Sequence, residues 1–151
     1  MYLAGGSPTS EPRGFVAGSD VMQVLTSDAA DAIVDAVLAW PRAVGGASVI
    51  VDAIGGAVGD VDPAGSAFPW PRQSAVLQWY ADTPGPCVRS VAAKWIRLAH
   101  QRLRSHSVGR YVNYLEPDTQ PVSYFAGNLP RLVAIRQKYH PTRMMASGLD
   151  F

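Results

Sequence analysis

The sequence predicts an α+β domain, an antiparallel sheet flanked by helices. Two long stretches, residues 25–40 and 83–105, carry apolar stripes at spacings of three and four, the period of an amphipathic helix. Two others, residues 47–61 and 73–82, alternate apolar and polar as strands do. The two kinds of element are interspersed without the strict strand–helix–strand order of a parallel sheet. At 151 residues, 48% hydrophobic and 17% charged, the chain suits one domain with a sizeable core.

Residues 1–14 read as a flexible lead-in, since they hold neither the basic n-region nor the long apolar h-region of a secretory signal. In the first helix, Ser27 is placed to cap, and Asp28 and Asp31 lie near the positive end of the helix dipole. Ile33, Val34, Val37 and Leu38 form its apolar stripe, and Pro41 ends it. In residues 47–61, Val49 and Val51 share one face, Ile50 and Asp52 the other; Gly55-Gly56 then turns the chain toward a candidate second strand. No Gly-Lys-Ser/Thr follows that pair, so it is not a phosphate loop. Three prolines make residues 62–72 irregular.

Residues 73–82 place Val76, Gln78 and Tyr80 on one face and Ala75, Leu77 and Trp79 on the other. The long helix buries Val88, Val91, Ala92, Trp95, Ala99 and Leu103, with Arg89, Lys94, Arg97, Arg102 and Arg104 mostly off that stripe. Residues 109–116 read as a further strand. A loop and a last helix fill residues 122–141: Pro130 is tolerated near the helix start, Leu129, Leu132, Val133 and Ile135 face inward, and Pro141 stops it.

Several classes are excluded or disfavoured. No apolar run approaches the ~18 residues of a membrane helix, so the expected location is the cytoplasm. The single cysteine, Cys87, rules out a disulfide framework and reads as a partly buried thiol. His100, His106 and His140 have no ligand spacing, and no metal site is expected. Residues 1–84 carry three Arg against nine Asp/Glu, and residues 85–151 ten Lys/Arg against three Asp/Glu. Two halves that attract each other within one fold explain this; base-reading and aromatic-stacking patterns are absent, and nucleic acid is not the expected partner.

The stretch "GRYVNYLEP" (residues 109–117) sets Tyr111, Asn113 and Tyr114 close together. On pattern alone, the two tyrosines pack in a sheet and Asn113 turns the chain. In a regular strand Tyr111 and Asn113 share one face and Tyr114 points to the other, so a common site requires the strand to end or bend. Glu116-Pro117 supplies a natural ending.

Tyr111, Asn113 and Tyr114 are followed by Tyr124, Asn128, Arg131 and Leu132, then by Lys138, Tyr139 and Pro141. In order and spacing this resembles the C-terminal segment of the berberine bridge enzyme-like family, flavin-linked oxidases of the vanillyl-alcohol oxidase superfamily. Weaker similarity reaches back to about Phe15. Ala126 stands where the family usually has Gly, and His140 replaces the Asp of its final Asp-Pro. The resemblance implies a partial substrate domain over 15–108 and the C-terminal return segment over 109–151. It further implies an FAD-dependent oxidoreductase in which an alcohol-type donor passes a hydride to flavin while Tyr114 takes the hydroxyl proton. Tyr111, Asn113 and Asn128 would contact the cofactor. The family's flavin-binding domain is not represented in these residues, and Cys87 does not match its covalent cysteine. FAD is therefore expected only with a complementary FAD-binding domain, and the chain alone would be inactive, whether a truncated relic or half of a split enzyme. Expected partners are a separate FAD-binding chain or a second copy, and a small-molecule substrate. A non-catalytic binding or assembly module derived from such an enzyme is the alternative.

Overall fold

A computed structural model of the chain describes residues 14–139 and Leu149. The lead-in (but for Gly14) and the features assigned to His140 and Pro141 lie outside the described residues. Four strands form one antiparallel sheet in the order β2-β3-β1-β4, with β1 at Phe15–Met22, β2 at Ala47–Ala53, β3 at Ala75–Asp82 and β4 at Ser107–Gly109. Helices α1 (Ser27–Leu38) and α2 (Pro86–Leu103) cover one face. A short helix α3 (Val122–Phe125) and a last helix α4 (Leu129–Tyr139) follow the return segment.

The helix-side core is built around three tryptophans. Trp95 meets Trp79 and Trp40 edge-on, with ring centroids 5.6 and 5.2 Å apart. Large aromatic rings bury much apolar area, but each buried indole N–H needs an acceptor. Trp95 Nε1 donates to Ala36 O (2.7 Å), Trp40 Nε1 to Gly45 O (2.8 Å) and Trp79 Nε1 to Asp20 Oδ2 (2.9 Å). Ala29, Ile33 and Ala36 of α1 and Ala92, Ile96, Ala99 and Leu103 of α2 complete this layer.

Strand β1 lacks the alternation that marks a strand, because Gly18, Ser19 and Asp20 interrupt it. Its polar residues are buried with partners, as buried polar groups must be. Gly18 is required there: a Cβ would come within 2.7 Å of Ile96 Cγ2 and 2.8 Å of the Glu116 carboxyl.

Several local expectations are corrected. Thr26, not Ser27, caps α1, accepting from Ala29 N at 3.2 Å. Val34 and Leu38 are exposed, and the small Ala29 and Ala36 sit inward instead, which lets α1 lie close to α2. A single 3₁₀ turn, Gly56–Val58, replaces the candidate second strand. Ile135 is exposed and Cys87 lies on the surface. The segment after Gly109 is not a strand: β4 pairs with β1 only through Ser107 and Gly109, and then the chain turns.

Candidate functional site

The strand ends because its next hydrogen bonds go elsewhere. Arg110 N donates to Ser123 O (2.8 Å), and Tyr111 N donates to the Ser19 hydroxyl (2.8 Å). Tyr114 N then closes a turn on Tyr111 O (3.0 Å). The turn removes the alternation that would have parted Tyr111 from Tyr114. Their rings meet edge-on at 5.6 Å, and Asn113 Nδ2 donates to the Tyr111 hydroxyl (2.9 Å). Phe68, from the proline-rich loop, meets Tyr111 edge-on at 5.7 Å and extends the row. Three of the residues singled out in the sequence therefore converge.

This group sits on the sheet face away from α1 and α2, with Val21, Trp70 and Val76 beneath it. Gly109 is held to glycine because a Cβ would overlap the Trp70 ring. Tyr111 and Tyr114 are half-buried and Asn113 is exposed. The Tyr114 hydroxyl is pushed above the ordinary tyrosine value by burial, by the negative charge of Asp52 and by Tyr111. Arg110 points away from this hydroxyl, into the cluster described next.

Asn128 lies apart from the other three. Its amide donates to Pro63 O (2.6 Å) and Ser66 O (2.9 Å), and Arg131 Nη1 donates to Ala64 O (2.8 Å). The Asn-x-x-Arg pair thus clamps the loop that carries Phe68.

Four further charged groups meet at the free edge of β1. His100 Nδ1 is 2.7 Å from Asp20 Oδ2, and its Nε2 is 2.7 Å from Glu116 Oε2. Arg110 Nη1 donates to Ser19 O (2.8 Å) and Glu116 Oε1 (3.2 Å), while Ser19 N donates to Glu116 Oε1 (3.1 Å). Arg110 Nη1 also lies 2.7 and 2.6 Å from the two imidazole nitrogens. The protons on the imidazole decide what this contact is: with both nitrogens directed at carboxylates, the guanidinium is a second cation beside the ring, its charge set against theirs. Burial opposes charge on His100, but the hydrogen bonds and charges of Asp20 and Glu116 outweigh it, and its pKa is raised. The only sequence signals of this cluster are an Asp inside an apolar run and a His at the border of the α2 stripe.

A groove of about 570 Å³ between α1 and α2, lined in part by Ala36, Trp95, Leu98 and Arg102, opens on the helix side, away from Tyr114. Among the described residues no helix is long and apolar enough to cross a membrane.

Comparison with known proteins agrees with this architecture. Residues 110–145 match the family model described as "Berberine and berberine like". An FAD-linked oxidoreductase of Bacillus subtilis (strain 168), YgaK, is 32% identical over 98 residues, covering 63% of this chain and 22% of that protein. The fold matches a glycopeptide hexose oxidase with a TM-score of 0.74 at 20% identity, over 93% of this chain and 33% of that one. It also matches the carbohydrate oxidase of Microdochium nivale, with a TM-score of 0.70 at 23% identity, over 86% of this chain and 30% of that one. The chain spans about a third or less of the length of each. Residues 110–145 are therefore similar to the berberine-like segment, and the chain as a whole has a fold similar to part of those oxidases.

Proposed function

We propose that this chain supplies the substrate-side wall and the proton acceptor of an FAD-linked oxidoreductase acting on an alcohol-type donor. The observation that carries the reading is the turn that gathers Tyr111, Asn113 and Tyr114 on the sheet face away from α1 and α2, near Asp52. The half-buried tyrosine rings and the exposed Asn113 amide suit the edge of a flat, polar-rimmed ring such as flavin's. They offer nothing for its diphosphate, which a complementary FAD-binding domain would hold, in the same polypeptide or a separate one. Asn128, committed to the Pro63 and Ser66 carbonyls, acts on the cofactor only indirectly, through the Phe68 loop.

FAD, held by that complementary domain, would supply the hydride acceptor for the substrate's alcohol carbon. Tyr114 takes the hydroxyl proton of that carbon. Its raised pKa means that it waits as a phenol, not as a phenolate, so its own proton must leave as the new one arrives. The negative charge of Asp52, which helps to raise that pKa, disfavours a lasting phenolate, and the displaced proton passes to solvent.

The chain purified alone is expected to be colourless, and co-expression with a flavin-domain chain of this family is expected to give visible flavin absorbance. Colourless protein in both arms would sink the reading and leave a binding or assembly module. In the coloured complex, Tyr114→Phe is expected to keep the absorbance and lose turnover by about 10²–10³-fold; unchanged turnover refutes the assignment.

A further inference from the structure

We propose that His100, held between Asp20 and Glu116, is a protonation-dependent positioning residue that fixes the return segment, and with it the 111–114 turn, on the edge of β1.

Carboxylates only accept hydrogen bonds, so an imidazole with a carboxylate oxygen 2.7 Å from each nitrogen donates from both and is an imidazolium. The charges then balance: His100 and Arg110 against Asp20 and Glu116. The two carboxylates are not equally anchored. Asp20 sits on the central strand, 2% exposed, and accepts from Trp79 as well. Glu116 sits on the return segment, held there by Arg110, by Ser19 N and by its own N–H donating to the Tyr124 hydroxyl (2.9 Å). When His100 loses a proton, one nitrogen turns a lone pair toward a carboxylate and the cluster becomes net negative. Glu116, the partner on the more weakly anchored element, is the one released.

Among the described residues, the charged groups that face His100 are Asp20 from β1 and Arg110 and Glu116 from the return segment; from β3 the neutral Trp79 indole reaches it through Asp20. Arg110 and Glu116 bracket the turn, so loss of the His100–Glu116 contact frees it from its C-terminal side. The sign follows from the raised pKa: the clamp is complete below the ordinary imidazole value and is lost as pH rises through the higher folded value. The clamp is independent of flavin; only the statement that the turn it holds is a catalytic one rests on the function proposed above.

The test is nuclear magnetic resonance on the 151-residue chain from about pH 5.5 to 9.5, a range that brackets imidazole titration. The His100 ring signal gives its midpoint. Amide exchange at Ser19 and Tyr111, corrected for intrinsic rates, reports the edge contact, with the Trp95 amide as an internal reference. Protection of Ser19 and Tyr111 relative to Trp95 is expected to fall about tenfold or more through the His100 midpoint. In His100→Gln, which cannot donate from both sides, protection is expected to be low and independent of pH. Protection that stays flat through the wild-type His100 titration, or a wild-type profile in His100→Gln, overturns the proposal. Should the variant not fold, the wild-type titration decides alone. No flavin enters these readouts, so their failure and that of the oxidoreductase reading are distinguishable.

Discussion

The layer of α1 and α2 on the sheet and the return segment that wraps its edge are held by different physics. Between the helices and the sheet, three tryptophans and a set of alanines, leucines and isoleucines exclude water, and their stabilisation grows with buried apolar area. Around residues 110–128, Tyr124 and Phe125 are buried in a small cluster of their own, but the ties to the sheet and to the proline-rich loop include side chain to backbone bonds: Ser19 to Tyr111, Glu116 to Ser19, Asn128 to Pro63 and Ser66. The first kind of contact tolerates substitution by degrees. The second depends on particular atoms and, at His100, on a proton. Candidate chemistry sits on the second kind, where a small local change can move it without unfolding the rest.

The largest expected effect tests the helix layer. Trp95→Ala should cost about 3–5 kcal/mol, because the cavity it leaves adds to the lost burial. Denaturant unfolding measures it, and a loss under 1 kcal/mol would mean that the two other tryptophans close the gap. Asp20→Asn should cost less, about 2–3 kcal/mol, since the amide oxygen still accepts but the charge is gone. That cost should be largest near about pH 6 and shrink as pH rises through the His100 titration, because only the imidazolium needs the charge. A cost independent of pH would detach Asp20 from His100. The smallest effect has the opposite sign. Ala126 adopts φ +43° and ψ −127°, a region that suits glycine. Ala126→Gly should therefore raise stability by about 0.5–1 kcal/mol, strain relief exceeding the lost methyl packing and backbone entropy. A lower melting temperature would show that the methyl contact near Trp70 matters more.

What the sequence made legible follows the same division. The stripe of α2 and the alternation of β3 appear as expected, because apolar burial imposes its period on the residues. Strand β1 was invisible: Gly18, Ser19 and Asp20 look like a turn, and only the contacts of Ile96, Tyr111, Trp79 and His100 explain them. The assignment of residues 109–116 as a strand failed for a related reason. Nothing in "RYVNY" says that Tyr111 N will meet a serine hydroxyl 92 positions away and not a neighbouring strand. Tyr111, Asn113 and Tyr114 could be named beforehand through resemblance, and the turn brings their side chains together. Asp20, His100, Arg110 and Glu116 could not be named, since four residues distant in sequence become a cluster only in the fold. The glycine usual at position 126 in the family acquires a reason in the backbone angle found there.

The free edge of β1 carries one last consequence, for solubility. Beyond Met22 and Val21, no strand among the described residues pairs with that side of β1; Arg110 and Glu116 side chains cover Ser19 in its place. A strand edge stripped of such cover is a template for another chain. Detaching the return segment would therefore leave the helix layer folded and make the molecules adhere to one another edge to edge. The same charged pair that brackets the tyrosine turn also occupies the backbone groups at which such pairing would begin.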